Sequence, residues 1–82
     1  MALYFLSYDL RNNRNYEKLY EELKIFNAVK VLESLYCFNR INTSASKLRD
    51  YFQNHIDSDD GLIIIEASNW ASCNTNGTPN NL

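Results

Sequence analysis

The chain has 82 residues, a length that leaves room for one small domain with a single hydrophobic core. Hydrophobic residues make up 45% of it and charged residues 22%, as in ordinary globular proteins, and no apolar run is long enough to span a membrane. The formal net charge of -2 argues against a protein that binds nucleic acid mainly through clustered basic side chains. The residues after Met1 lack the basic segment of a secretory signal, so we expect a cytoplasmic protein.

The first predicted element is an apolar and aromatic strand over residues 3–9, which ends in the carboxylate of Asp9. Ligands and metals collect at the carboxyl ends of strands in open sheets, so Asp9 is a candidate site residue. The alternative is that Asp9 caps a turn with the asparagines that follow it. Arg11 and Arg14 lie in the same loop, where they either contact phosphates or pair with nearby acids.

The next segment predicts an amphipathic helix over residues 14–26, with charged residues between its apolar positions. Its apolar or aromatic residues recur at intervals of three and four: Tyr16, Leu19, Tyr20, Leu23 and Phe26. Asn13 or Asn15 caps its start, and Asn27 takes the left-handed conformation that ends it.

Two short strands and a second helix follow. Residues 28–41 are β-branched and aromatic, with a break near Glu33 and Ser34. Thr43 or Ser44 then starts a helix whose apolar stripe is Ala45, Leu48, Tyr51, Phe52 and Ile56. Residues 62–67 form a continuous β-branched run, which predicts a central strand.

The turn before the last strand contains three aspartates and a glycine: Asp57, Asp59, Asp60 and Gly61. Their spacing does not fit a calcium-binding EF-hand, because the twelfth position counted from Asp57 is Ser68 instead of glutamate. We therefore predict a solvated turn in which Gly61 supplies a positive φ.

The two cysteines and the one histidine match no metal-ligand spacing. We expect Cys37 to be a core thiol and Cys73 an exposed one. His55 can act as a general base only if it faces Asp9. The alternative is that His55, at the end of the second helix, is a cation that interacts favourably with the helix dipole.

The order strand, helix, strand, strand, helix, strand predicts an α+β ferredoxin-like βαββαβ sandwich, in which two helices cover one face of a four-stranded antiparallel sheet. We assign this domain to residues 1–69. Residues 70–82 form an uncharged polar tail that is dispensable for folding, and that is either partly disordered or paired with a partner subunit through Trp70.

The second face of the sheet also needs a cover, because both alternating sets of residues in the first strand are apolar. A homodimer formed through this face is the simplest cover. The alternative is a platform for single-stranded nucleic acid, on which bases stack against exposed aromatic residues: Tyr4, Tyr8, Tyr36 and Phe38.

Three short motifs carry a family resemblance. They are Ser-Tyr-Asp-Leu-Arg at residues 7–11, Val-Leu-Glu-Ser-Leu-Tyr at residues 31–36 and Asp-Ser-Asp-Asp at residues 57–60. Over residues 3–67 the chain resembles the CRISPR-associated protein 2 superfamily and, more distantly, the virulence-associated protein D ribonucleases. It departs from the family in its acidity and in having Glu33 where many members carry glutamine.

The resemblance implies a ferredoxin-like homodimer in which Asp9 of each subunit faces its twin across the twofold axis and binds a divalent metal. Members include metal-dependent nucleases and non-catalytic scaffolds for DNA integration. It favours a nuclease acting on RNA more than DNA, with Asp9 as catalytic residue and ligand of Mg²⁺, or of Mn²⁺ as its substitute. Arg11, Arg14, Ser7 and Tyr8 would contact the substrate. The alternative is a non-enzymatic homodimer that binds a protein or nucleotide partner.

Overall fold

The computed structural model describes residues 1–11 and 16–82. They form six main elements and a final 3-10 turn: β1 (Ala2–Asp9), α1 (Tyr16–Ile25), β2 (Val29–Leu32), β3 (Leu35–Arg40), α2 (Ala45–Gln53), β4 (Gly61–Ala67) and the turn Pro79–Asn81. All strand pairings are antiparallel. The predicted ferredoxin-like α+β fold is therefore confirmed, including the break between the second and third strands. Within the described ranges, neither helix has the length and apolarity needed to cross a membrane.

The strand order in the sheet is β2-β3-β1-β4. The central strand β1 pairs with β3 on one side and β4 on the other, so that Phe5 stands opposite Cys37 and Ile65. The prediction that residues 62–67 form a central strand is wrong, because β4 lies at the edge of the sheet. The continuous apolar run of β4 does not mean that both of its faces are buried. One face is turned towards the helices, and Ile63 and Ile65 on the other face are exposed.

The helix-covered face carries the hydrophobic core. Alternate β1 residues Tyr4, Leu6 and Tyr8 are nearly or fully buried there. Phe38 is buried beside them, and Tyr36 packs against the same cluster. The aromatic residues of the predicted base-stacking platform thus face the helices, so the platform prediction is wrong. The alternation of β1 puts them on the covered side.

The first helix packs through Leu19 and Leu23 and is followed by Asn27 at φ 54°. The predicted left-handed end of this helix is confirmed. The predicted cap residues Asn13 and Asn15 lie outside the described residues, as does Arg14.

The second helix begins after Ser44, whose Oγ accepts a hydrogen bond from the backbone N–H of Lys47 at 3.3 Å. This cap confirms one of the two predicted starts. Leu48 and Phe52 bury the inner side of the helix. The helix ends at Gln53, so His55 follows the helix and does not lie in its last turn.

The opposite face, which we call the open face, carries Leu3 and Phe5 half-buried and leaves Ile63 and Ile65 56% and 47% exposed. Both isoleucines stand opposite β1 residues of this same face. No helix covers it in the described part of the chain, whose two helices share the covered side. An apolar surface is therefore presented to the outside on the β4 side of this face, whereas on the β3 side Cys37, opposite Phe5, is fully buried.

The tail returns to the free edge of β2. The backbone N–H of Asn76 donates to the Val31 carbonyl at 2.9 Å, and Gly77 lies against Val29. Cys37 is buried and Cys73 exposed, as predicted. Pairing of the tail with a partner subunit stays a prediction.

Candidate functional site

Asp9 is the last residue of β1 and stands opposite Gly61 of β4. Strand alternation puts it on the open face with Phe5 and Ser7. Its side chain is 72% exposed. A shallow cleft of about 280 Å³ lies here, lined by the end of β1, the start of β4 and Arg11. The candidate acid is therefore accessible from the same side as the exposed isoleucines.

Arg11 joins Asp9 to the turn that precedes β4. Its Nε donates to Asp9 Oδ2 at 3.1 Å, and its Nη1 donates to the Asp59 carbonyl oxygen at 3.4 Å. Its backbone N–H donates to Asp60 Oδ1 at 2.7 Å. Arg11 was predicted either to contact phosphates or to pair with nearby acids, and in the structure it pairs with Asp9.

The turn before β4 is closed by Asp60. Its Oδ2 accepts the backbone N–H of Asp57 at 2.9 Å, and its own N–H donates to the Asp57 carbonyl at 3.1 Å. Carboxylate oxygens of Asp57, Asp59 and Asp60 lie within 4.8 Å of one another. Asp57 Oδ2 is buried and has no hydrogen-bond partner among the described residues. The solvated turn is thus more tightly organised than its composition suggests.

Gly61 does not have a positive φ, so that part of the turn prediction is wrong. The structure gives another reason for glycine at this position. A Cβ built there would lie 2.8 Å from Arg11 Nη2, closer than real Cβ contacts allow. Gly61 leaves the observed guanidinium position open, although the end of this flexible side chain could shift away from a Cβ at little cost.

Sequence patterns alone did not single out Asp59 and Asp60 as neighbours of Asp9. A signal was present, because the antiparallel strands β1 and β4 place the end of the first beside the start of the second. Acids just before β4 must then lie near the residues just after β1. The pairing of these two strands supplies the information that spacing along the chain lacks.

The other predicted substrate contacts are placed differently. Ser7 lies on the open face and lines the same cleft as Asp9. Tyr8 is 6% exposed, and its hydroxyl lies 3.0 Å from that of Tyr20. Arg14 lies outside the described residues. The substrate roles of Ser7, Tyr8, Arg11 and Arg14 stay predictions.

Burial raises the pKa of Tyr8 far above its usual value of 10, with the hydrogen bond to Tyr20 adding to the effect. Burial also raises the pKa of Tyr36, whose ring stacks on Tyr8. Both phenols therefore remain protonated in the folded protein at neutral pH. Tyr8 can donate a hydrogen bond but does not supply a base.

His55 lies between the two helices, away from the lining of the Asp9 cleft. Its Nε2 is 3.6 Å from Glu22 Oε2, and its Nδ1 is 3.1 Å from the Tyr51 carbonyl oxygen. The Tyr51 hydroxyl donates to the same glutamate. These contacts tie α2 to α1, which is a structural role and not one at the Asp9 cleft.

The residues around Arg11 fit a divalent cation by type. The Asp9 carboxylate and the Asp59 carbonyl already flank one positive group, and both are hard oxygen donors of the kind that Mg²⁺ prefers.

The family model described as CRISPR associated protein Cas2 matches residues 1–73 of the 82. The match includes all four strands, both helices and the Asp9 cleft. No solved structure gives a significant match to this chain. The chain belongs to the Cas2 family of CRISPR associated proteins.

Proposed function

We propose that this Cas2-family protein is a homodimeric, metal-dependent nuclease, with Asp9 of the two copies at a shared site. One observation carries the proposal: Asp9 lies on the open face, together with the exposed side chains of Ile63 and Ile65. The apolar surface that calls for a second copy is therefore the surface that bears the candidate acid. RNA is the favoured substrate, because the chain also resembles a family of ribonucleases.

Dimerisation through the open face follows from the cost of leaving it exposed. Contiguous apolar surface of this kind is rare on monomeric proteins and marks interaction sites. A twofold axis sets the same patch of each copy against the other, so residues near the axis meet their twins. Asp9 at the end of the central strand then approaches the partner's Asp9.

Two carboxylates that approach each other repel, and a divalent cation between them removes that repulsion. Mg²⁺ bound there supplies Lewis acidity towards a phosphodiester oxygen. The chain's own groups would position the substrate. Ser7 lines the cleft as a neutral hydrogen-bonding group, and the Arg11 guanidinium is close enough to Asp9 to meet a phosphate beside the site.

The alternative is a non-enzymatic homodimer that binds a protein or nucleotide partner. Two observations favour it: Asp9 is already paired with Arg11, and the chain carries a net charge of -2. In that case Asp9 and Arg11 form a structural pair at the end of β1. The two functions differ in whether Asp9 binds metal.

The test compares Asp9→Asn with Asp50→Asn. Asp50 is a matched control because it is 66% exposed and paired with Arg49 at 2.9 Å, much as Asp9 pairs with Arg11. We expect the wild-type protein to bind Mn²⁺ in calorimetric titration and to cleave labelled RNA. Asp9→Asn should lose both properties at unchanged or higher stability, whereas Asp50→Asn should keep both.

Light scattering tests dimerisation independently of metal binding, since the dimer should have twice the 9.6 kDa mass of the chain. If the wild-type protein neither binds Mn²⁺ nor cleaves RNA or DNA above Asp9→Asn, the nuclease function is wrong. A dimer without metal binding would then support the binding module.

A further inference from the structure

The Arg11 side chain occupies a position between two oxygen donors. Its guanidinium lies 3.1 Å from Asp9 Oδ2 through Nε and 3.4 Å from the Asp59 carbonyl oxygen through Nη1. A carboxylate and a carbonyl oxygen around one positive group are also the ligand types of hard divalent cations. The guanidinium therefore partly neutralises the carboxylate that a metal ion at Asp9 would need.

The backbone makes room for this side chain. Gly61 faces Asp9 across the β1 and β4 pair, and a Cβ at that position would meet Arg11 Nη2 at 2.8 Å. A Cβ at Gly61 would therefore move the end of the Arg11 side chain and leave the backbone in place. The backbone N–H of Arg11 is held separately by Asp60, so the side chain can move without breaking this backbone contact.

We propose that Arg11 is a built-in competitor of the metal at Asp9: its guanidinium pairs with the carboxylate in the metal-free protein and swings away from it when the ion binds. This inference rests on the proposed function. It concerns how the site is regulated. Two cations beside the same carboxylate repel each other, so the arginine weakens binding of the ion and the ion favours displacement of the arginine.

In the single chain the cost of displacement is small, because the Arg11 and Asp9 side chains are 59% and 72% exposed. Exposed ion pairs are weak, and a long arginine side chain reorients easily in water. Once displaced, the guanidinium lies at the mouth of the cleft, where it is free to pair with a phosphate group. Metal binding and phosphate binding at this site would thus favour each other.

The experiment measures the Mn²⁺ dissociation constant of the full-length protein by calorimetry, without substrate. Arg11→Gln should tighten Mn²⁺ binding by about three- to tenfold, because the competing charge is gone. Gly61→Ala retains the charge but pushes the guanidinium away, so it should tighten binding by a smaller factor. Lys24→Gln is the control for net charge, since Lys24 is exposed on α1 over the covered face, and it should leave the constant unchanged.

A further Asp9→Asn substitution in the Arg11→Gln protein should remove the tightened binding, which locates the ion at Asp9. If wild type binds Mn²⁺ and Arg11→Gln binds it equally or more weakly, the competitor role is overturned while the proposed function stands. If neither protein binds Mn²⁺ while circular dichroism shows both folded, the proposed function fails, and the competitor role fails with it.

Discussion

The two faces of the sheet both carry apolar residues, but those residues are buried to different extents. On the covered face, Tyr4, Leu6 and Phe38 are at most 1% exposed beneath the helices. On the open face, Ile63 and Ile65 remain about half exposed at the edge strand β4. The covered face also buries its polar atoms in hydrogen bonds, as in the pair of Tyr8 and Tyr20 hydroxyls, whereas the open face ends in an accessible carboxylate.

The difference shows that the hydrophobic content of a sheet face does not by itself distinguish a folding core from an association surface. Burial beneath helices uses apolar residues for folding, and the same residues left uncovered mark a place for association. Asp9 belongs to the second surface by strand alternation alone. The comparison can be tested by substitutions placed on one face or the other.

The largest effect is expected on the covered face, from Phe52→Ala. Phe52 is fully buried, with ring centroids 4.9 Å from Phe26 and 5.9 Å from Phe38. Truncating such a side chain should lower the free energy of unfolding by about 3–5 kcal/mol. Urea denaturation measures the loss.

Phe5→Ala is the control on the open face. The loss that it causes should depend on protein concentration, because the dimer contributes to the burial of Phe5. If both substitutions lower the free energy of unfolding equally and independently of protein concentration, the two faces do not differ in the way proposed.

The next effect concerns association. Ile63→Glu puts a charge on each copy at the open face and should raise the dimer dissociation constant about 100-fold or more, because the charge must be buried or meet its twin. Ile25→Glu is the matched control, since Ile25 on α1 is also exposed, at 63%. Light scattering over a dilution series should find Ile25→Glu dimeric and Ile63→Glu monomeric and folded. If both variants have the wild-type mass, the open face is not the interface.

A smaller effect is expected at alkaline pH, from the buried phenol of Tyr8. Its pKa in the folded protein lies above the unfolded value of 10, so the stability linked to it is complete below pH 10 and is lost as pH rises from there. The loss should be about 1.4 kcal/mol per pH unit for this one group. Tyr8→Phe should flatten the fall in unfolding free energy between pH 10 and pH 11, measured by denaturation at each pH. Parallel curves for the two proteins would contradict the prediction.

The smallest effect is expected from the tail. Truncation after Ala71 removes the hydrogen bond from Asn76 to Val31 and the packing of Gly77 on Val29, and should lower the free energy of unfolding by about 1 kcal/mol. Gly77→Ala should reproduce part of this loss, because its Cβ would lie 2.7 Å from Val29 Cγ1. Thermal unfolding measures both. A loss comparable to that of Phe52→Ala would show that the tail is part of the core.

Most of the fold was predictable because it depends on local patterns. The apolar and aromatic run of residues 3–9, the helical spacing that buries Leu19 and Leu23, and the cap at Ser44 are properties of short segments. The candidate acid was also found locally, since Asp9 is the charged end of an apolar strand. The position of β4 was not, because an apolar run indicates burial but not which strands lie beside it.

The residues that lie close to the candidate site could not be predicted from their positions in the sequence. Asp59 and Asp60 are about 50 residues from Arg11, yet both accept its hydrogen bonds. Gly61 was expected to serve the backbone conformation, whereas it serves the space beside a side chain from another strand. Contacts of this kind exist only after the strands have paired.

The sequence by itself determined the βαββαβ order, the amphipathic faces and the acid at the end of the first strand, because hydrophobic periodicity and capping act over a few residues. Tertiary structure alone decided that the aromatic side of β1 lies beneath the helices, that β4 is an edge strand, and that Arg11 lies against Asp9. Each of these depends on which of two similar apolar faces the helices cover and on which strands pair. Those choices are made by packing between segments far apart in the chain.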